Sequence, residues 1–324
     1  MTRRQRLLNQ IRGEEIDRVP MVGGWNLGVR NLADLAGITI EEYLHDPLRG
    51  VVRANQCLGV DAMVEPIVPK DIHAIREGSV QEQQFSHVEP EALVARAEAI
   101  PDTEEKVLAA VALYPDAVER IYWESSVLSR ERNKIVIRLM REYGLPPMLL
   151  CGEDICVNRG PMVSPDFLRQ RYWPHDRYAL EPFLDAGIRL IHHCDGNVMP
   201  LVDDMIETGF SGFQGFQYEC GVDPRELRQR RSRLGEEPLL LGGLSVTRTL
   251  PLGGPADVIE EVEYCLDCTD AGRGFFLFTS NVTGVEVPPE NVRTAYWHLA
   301  AYDPRRPRGK RGQQVWPWRK KHPE

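Results

Sequence analysis

The sequence predicts an α/β protein folded as a single closed (β/α)8 barrel, and three observations support this. Strand-like and helix-like segments alternate through the second half of the chain, and βα units in series predict a parallel sheet. A length of 324 residues is common for one such barrel. Further strand-like runs upstream bring the expected strands to about eight. We expect the barrel over residues 1–302, and a doubly wound open sheet is the alternative.

The first half of the chain is expected to contribute a helical extension at the N-terminus and then four strands. Three of these strands are expected in RVPMVGGWN, GVDAMVEPIVP and PPMLLCGED. A further strand is expected near RIYWESSV. The first three runs are apolar and are bounded by Gly, Pro and Asp, which favour turns.

The second half of the chain contains four βα units in series. Their strands are expected in IRLIHHCDGN, FSGFQGFQYE, PLLLGGLS and GFFLFTSN, each followed by a helical segment. Helix starts are marked by Pro-bearing openings at Pro165, Pro255 and Pro289. Proline suits the first helical position because the amide hydrogen that it lacks would have no partner there. The helix boundaries are therefore well marked.

Composition excludes several classes of protein. A hydrophobic share of 42% with 27% charged residues is typical of a soluble protein. No apolar run is long enough to span a membrane, and the N-terminus MTRRQRLLNQIRGEE lacks the apolar core of a secretory signal. The 7 cysteines are odd in number and scattered, which favours free thiols in a reducing compartment. We therefore expect a cytoplasmic protein without membrane contact.

Positive charge is concentrated in the C-terminal tail, residues 303–324. The tail contains eight Lys or Arg against Asp303 and Glu324, whereas the whole chain has a net charge of −9. A basic, Pro-rich terminus is typical of a solvated and poorly ordered segment. The remainder is acidic and has no basic patch with interleaved aromatic residues, so we do not expect nucleic acid as a partner.

Four chemically active side chains follow one another in GIRLIHHCDGN, at the end of one expected strand. Side chains alternate between the two faces of a strand, which leaves two pairs: His192 with Cys194, or His193 with Asp195. The face that includes His192 and Cys194 is the more apolar, so we expect it to contact the helices. His193 and Asp195 then face the barrel mouth. The alternative is that His193 is a core histidine and Asp195 caps a helix.

Polar residues at other expected strand ends complete a candidate site. Asp154 follows the strand PPMLLCG and is expected to act as an acid or base opposite His193 and Asp195. Its neighbour Glu153 is instead expected to stabilise a turn. The expected substrate-binding residues are Asn26, Glu65, Gln217, Glu219 and Asn281.

A set of motifs along the chain resembles one known family. These motifs are RRQRLLNQIRGEEIDRVPMV, GVDAMVEP, GEDICVNRGPMVSPDFL, HHCDGNVMPLVDDMIETGF, LLLGGLS with GGPADVIEEV, and VPPENV. They resemble, in this order, landmarks of the uroporphyrinogen decarboxylase-like superfamily, up to about residue 302. The resemblance implies a (β/α)8 barrel. The superfamily includes porphyrinogen decarboxylases and methyltransferases that work with corrinoid proteins or activate thiols through zinc.

Two departures separate the sequence from true uroporphyrinogen decarboxylases. Those enzymes have an arginine-rich N-terminal segment that holds the substrate carboxylates and a Phe-Ser-Asp stretch that supplies a central aspartate. The matching segments here read VPMVGGWNLG and EPIVP. Several carboxylates need paired cations once they leave water, and the arginines for this are missing. The resemblance therefore favours a methyltransferase.

The zinc-dependent methyltransferases of the superfamily have a His-x-Cys-Gly motif at the fifth strand and a cysteine after the eighth. In this alignment His193 matches the histidine, Asp195 replaces the first cysteine, and FTSNVTGVEVPP contains none. Zinc is therefore disfavoured, because a carboxylate replaces the soft thiolate. If zinc were bound, its ligands would be His193, Asp195 and Glu219.

From this resemblance we expect an enzyme in which His193, Asp195 and Asp154 form the catalytic centre. It would move a methyl group between a small methoxy- or N-methyl substrate and a corrinoid or thiol acceptor. A separate partner protein would supply the corrinoid, because the chain has no second domain to hold it. The alternatives are a decarboxylase acting on a smaller carboxylate and a non-catalytic binding barrel. A homodimer is left open.

Overall fold

The structure is a computed structural model that describes residues 1–64, 66–70, 104–306 and 315–322. The expected substrate-binding residue Glu65 lies outside these ranges. Within them, no helix has both the length and the apolar character that crossing a bilayer requires.

The chain forms two compact units. The first unit comprises Met1–Ser79, Gly212–Arg231 and Glu237–Glu324. The second comprises Val80–Ser211 and Ser232–Glu236.

Strands and helices alternate along most of the described chain. The strands are β1 (Val22–Gly23), β2 (Ala62–Met63), β3 (Met148–Gly152), β4 (Cys156–Val157), β5 (Gly160–Pro161), β6 (Arg189–His193), β7 (Gly212–Gln214), β8 (Leu239–Leu244) and β9 (Phe275–Thr279). The helices are α1 (Arg3–Arg12), α2 (Val29–Ala36), α3 (Ile40–His45), α4 (Pro47–Leu58), α5 (Glu104–Leu113), α6 (Pro115–Glu142), α7 (Pro165–Arg171), α8 (Trp173–Asp185), α9 (Val202–Thr208), α10 (Pro224–Gln229), α11 (Thr249–Leu252), α12 (Pro255–Cys268), α13 (Pro289–Ala300) and α14 (Pro317–Lys321).

The first unit is built on parallel strands. Strand β8 pairs with β7 and with β9, β1 pairs with β2, and Met21 forms a parallel bridge with Leu277 of β9. All residues of β8 and β9 are buried. Continuous burial of this kind is typical of a parallel sheet that is covered on both faces.

The second unit contains the parallel pair β3 and β6, in which Leu150 is opposite Ile191 and Gly152 is opposite His193. The antiparallel hairpin of β4 and β5 follows β3 directly. The long helix α6 packs closely against α8. These elements place the ends of β3 and β6 side by side.

The strand expected near RIYWESSV is wrong, because this segment lies inside helix α6. Ala117, Val118 and Ile121 are buried at helical spacing, and a spacing of three and four residues places side chains on one helix face. The short aromatic run resembled a strand because β-branched and aromatic residues are common in strands.

The expected α/β class is confirmed. Each of the four expected βα units of the second half contains a strand and a following helix, with strands β6, β7, β8 and β9. Every strand among β3 and β6 to β9 pairs in parallel with a neighbour in its own unit. Closure into a single barrel over residues 1–302 stays a prediction.

Within residues 315–322 of the expected tail, Trp316 and Pro317 are buried in the first unit, whereas Val315 and residues 319–322 are exposed. The Trp316 side chain is buried, its Nε1 donates to Glu261 Oε2 at 2.6 Å, and its ring stacks on Tyr218 with centroids 5.1 Å apart. Helix α14 follows directly. The charge of the tail indicated a solvated terminus, whereas the apolar area of its tryptophan favours burial.

Candidate active site

The ends of β3 and β6 lie close together because a glycine allows it. Gly152, the last residue of β3, has a φ of +129°, and a Cβ at this position would lie 2.4 Å from the His193 carbonyl oxygen. A side chain here would clash with the backbone of β6, and this backbone conformation is one that glycine favours. Asp154, two residues further on, is thereby brought to the end of β6.

The three expected catalytic residues Asp154, His193 and Asp195 form one cluster. One nitrogen or oxygen atom from each side chain lies within 4.8 Å of the others. His193 Nε2 is 3.7 Å from Asp154 Oδ1, and the Asp195 backbone N–H donates to the same oxygen at 2.7 Å. The backbone just after β6 therefore fixes the carboxylate that faces the imidazole.

The loop after Asp195 is held by the β4–β5 hairpin. Gly196 has a φ of +81°, and a Cβ there would lie 2.6 Å from the Val157 carbonyl oxygen. The next residue, Asn197, donates its backbone N–H to that oxygen at 3.0 Å. Its side-chain Oδ1 accepts from the Met199 N–H at 3.1 Å. These contacts hold the segment that follows Asp195 in place.

The expected orientation of His192 toward the helices is confirmed. His192 is 3% exposed, meets the Phe210 ring edge-on at 4.5 Å, and borders a cavity together with Ala179 and Leu180 of α8. Burial lowers the pKa of His192 to about 3, because the charged imidazolium would lose its water. His192 is therefore neutral at physiological pH and lies apart from the Asp154, His193 and Asp195 cluster.

The expected contact of Cys194 with helices is wrong. Its thiol packs against the β4–β5 hairpin, where Sγ accepts from the Ile155 N–H at 3.4 Å and is hydrogen-bonded with the Cys156 thiol. Strand β6 ends at His193, so strand alternation no longer determines the direction of residue 194. The hydrogen bond with Cys156 and burial raise the pKa of the Cys194 thiol. It therefore stays protonated.

The cluster offers one nitrogen and two carboxylates as donors for a metal ion. Tetrahedral zinc at about 2.1 Å would place its ligand atoms about 3.4 Å apart, so the side chains would have to close around the ion. The donor set nevertheless fits a divalent cation that prefers oxygen and nitrogen ligands. The expected zinc ligands were His193, Asp195 and Glu219, whereas the third residue of the cluster is Asp154.

The other described substrate-binding candidates lie in the first unit and have local hydrogen bonds. Asn26 Oδ1 accepts from the Gly28 N–H at 2.8 Å, and Asn281 Oδ1 accepts from the Val282 N–H at 2.5 Å. Gln217 Oε1 accepts from the Cys220 thiol. The remaining candidate, Glu219, accepts a hydrogen bond from the Thr247 hydroxyl. Their role in substrate binding stays a prediction.

A second group of titratable side chains lies in the second unit and was not expected. Glu153 is exposed and accepts a hydrogen bond from the Tyr172 hydroxyl. Together with Asp176 of α8 it borders the cavity next to His192. Tyr122, Ser126 and Ser129 of α6 line the same cavity. The helical spacing of these polar residues could have predicted this surface, but the run RIYWESSV favoured a strand in this part of the chain.

The comparisons with known proteins agree with this architecture. Residues 156–299 match the family described as uroporphyrinogen decarboxylase (URO-D). The fold is similar to that of a solved methyltransferase from Methanosarcina mazei, with a TM-score of 0.60 over 93% of this chain and 98% of that chain. Residues 156–299 are therefore similar to the URO-D family over somewhat less than half of the chain.

The matched region includes His193 and Asp195, whereas Asp154 lies two residues before it. Sequence identity to the Methanosarcina mazei methyltransferase is 19%, so that likeness concerns the fold and not the reaction. A comparison with curated proteins gives no match.

Proposed function

We propose that this protein is a URO-D-like methyltransferase in which the Asp154, His193 and Asp195 cluster transfers a proton. The observation that carries the proposal is the convergence of these three side chains at the ends of β3 and β6. The fold likeness to a methyltransferase is consistent with it. The proposed substrate is a small methoxy- or N-methyl compound, and the acceptor is a reduced corrinoid, held by a separate protein, or a thiol.

Proton transfer matters because an alkoxide or amide anion is a poor leaving group. His193 can donate a proton to the leaving oxygen or nitrogen, while the Asp154 carboxylate 3.7 Å away balances the imidazolium charge. The Asp195 N–H holds that carboxylate in place. A positioned acid of this kind typically accelerates a reaction by about 10²- to 10⁴-fold.

A reduced corrinoid would supply the nucleophile that accepts the methyl group. The residues of this chain would orient the substrate so that its methyl group points out of the cluster while its heteroatom faces His193 Nε2. His193 has a side-chain exposure of 19% and Asp154 of 50%, so a substrate or partner can reach both.

The match of residues 156–299 to the uroporphyrinogen decarboxylase family favours a second candidate function, a decarboxylase. The charge of the cluster limits which substrates such an enzyme could bind. Two carboxylates lie in the cluster, and an anionic substrate would be repelled by both. A substrate with many carboxylates therefore suits this site poorly. A decarboxylase acting on a smaller, less charged acid remains the second candidate.

The experiment that tests the proposal measures methyl transfer from a panel of methoxy- and N-methyl compounds to free reduced corrinoid or a thiol. We expect turnover by the wild-type protein and a loss of about 100-fold or more in His193→Gln. Release of carbon dioxide from a carboxylate substrate without corrinoid, with no methyl transfer, would establish the decarboxylase instead.

A further inference from the structure

A second candidate site lies in the second unit, on the helix-facing side of β6. It is a cavity of about 430 Å³, bordered by β3, β6, α6 and α8, which we term the helix-facing cavity. Side chains on its wall that carry the argument are Tyr122, Arg132, Glu153, Tyr172, Asp176 and His192. Its volume is within the range of small-molecule sites.

The polarity of this cavity is unusual for its place in the fold. The layer between strands and surrounding helices of an α/β protein is normally apolar. Here α6 presents Ser126 and Ser129 to the cavity and α8 presents Asp176, while Ser125 and Glu153, the residue after β3, border it and are exposed. A polar wall in an otherwise apolar layer indicates a ligand site.

His192 is an independent observation that points to a ligand. Its side chain is 3% exposed, borders the cavity, and makes no hydrogen bond to any other residue in the described ranges. Buried polar groups are usually hydrogen-bonded, because an unmade bond costs about 1–3 kcal/mol. An imidazole ring nitrogen can accept a hydrogen bond from a ligand.

The charges of the cavity favour a cationic ligand. Two carboxyl groups, Glu153 and Asp176, face Arg132, which is the only Lys or Arg on the part of the wall that the structure describes. Arg132 donates to Ser129 Oγ at 3.2 Å and forms no ion pair with either carboxyl in the described chain. Burial and the negative charge of Glu153 raise the pKa of Asp176 to about 7.

We propose that the helix-facing cavity binds a small organic cation, with its ammonium group between the Glu153 and Asp176 carboxylates and a hydrogen bond to the His192 imidazole. The rings of Tyr122 and Tyr172, with centroids 5.0 Å apart, form an aromatic wall beside the carboxyls. Aromatic faces attract organic cations. This ligand site is separate from the Asp154, His193 and Asp195 cluster, and the proposal is independent of the proposed methyl transfer.

Isothermal titration calorimetry of the full chain at pH 8 tests the proposal with three probes that differ only in their head group. Benzylamine is cationic, benzyl alcohol is neutral and benzoate is anionic. We expect benzylamine to bind at least about tenfold more tightly than benzyl alcohol, which corresponds to about 1.4 kcal/mol. We expect no binding of benzoate. Equal binding of the amine and the alcohol, preferred binding of benzoate, or no heat with about 10 mM benzylamine would each overturn the proposal.

Two variants on the same helix sharpen the test. Asp176→Asn removes one of the carboxylates and should weaken benzylamine binding at least about tenfold, as expected for loss of a buried charge partner. Glu181→Gln is the matched control, because Glu181 is also on α8 but pairs with Arg233 at 3.4 Å and does not line the cavity. Its affinity should stay within about twofold of the wild type. Unchanged binding in Asp176→Asn, with native circular dichroism, would overturn the assignment of the ammonium position.

Discussion

Replacing Asp176 by asparagine should stabilise the protein at alkaline pH and have less effect in acid. Asp176 has a pKa of about 7 because burial and the nearby negative charge of Glu153 disfavour its ionised form. A carboxyl whose pKa is raised in the folded state favours folding below its unfolded pKa, near 4. That contribution is lost as the pH rises through 7. Asparagine has the same shape but no charge, so the Asp176→Asn protein does not lose this stability at alkaline pH.

The expected change in the free energy of unfolding follows from the pKa shift of Asp176, reduced by two opposing contributions. A rise from 3.8 to about 7 corresponds to an upper limit of about 4 kcal/mol at about 1.36 kcal/mol per pKa unit. The cavity admits water, which we expect to reduce this to about 2 kcal/mol. Asp176 also lies in the first turn of α8, where loss of its negative charge costs about 0.5 kcal/mol. We therefore expect a net gain of about 1.5 kcal/mol at pH 8, and less than half of it at pH 5.

Urea unfolding followed by circular dichroism at pH 5 and pH 8 measures this difference. The control is again Glu181→Gln, which should change the free energy of unfolding by less than about 0.5 kcal/mol at either pH. A destabilised Asp176→Asn protein at pH 8, or a gain of equal size at both values of pH, would refute the reasoning. The first result would mean that Asp176 is ionised and well solvated or paired in the folded protein, and the second that the gain does not come from its titration.

Three further predictions concern the cluster and the tail. Asp154→Asn and Asp195→Asn should each lower the turnover number for methyl transfer at least about tenfold, with a smaller change in KM. The reason is that the charge near the imidazole matters most in the transition state. Steady-state kinetics with a saturating methyl donor checks this. Protein purified without added metal should contain well under one zinc per chain by mass spectrometry of metals, because the Asp195 carboxylate stands where a thiolate would hold zinc more strongly. Stoichiometric zinc after a chelator wash would contradict it. Trp316→Phe should cost about 1–3 kcal/mol of folding free energy in urea unfolding, because Glu261 loses a buried hydrogen bond; an unchanged midpoint would show that the tail does not contribute to stability.

The fold could be predicted wherever the chain has a regular βα pattern. Strands β6, β8 and β9 and the helices after them lie where the apolar runs and the proline openings predict them. The segment RIYWESSV was assigned wrongly because a short aromatic run does not distinguish a strand from a helix. The packing of Trp316 also escaped prediction, because burial of one aromatic ring in a basic segment depends on a tertiary partner, Glu261.

The candidate site could be predicted in part. Alternation along β6 separates His192 from His193, and the glycine at the end of β3 brings Asp154 close to His193. The direction of Cys194 could not be predicted, because the strand ends one residue earlier. The roles of Glu153 and Asp176 depend on how α8 packs across β3, which sequence spacing does not encode.

The most direct test of the proposed methyl transfer is the turnover of His193→Gln beside the wild type. The assay follows methylation of free reduced corrinoid by a panel of methoxylated substrates, with carbon dioxide release measured in parallel. The account predicts methylation by the wild type, a loss of about 100-fold or more in the variant, and no carbon dioxide. Full turnover in His193→Gln, or carbon dioxide release from a carboxylate substrate without corrinoid, would contradict it.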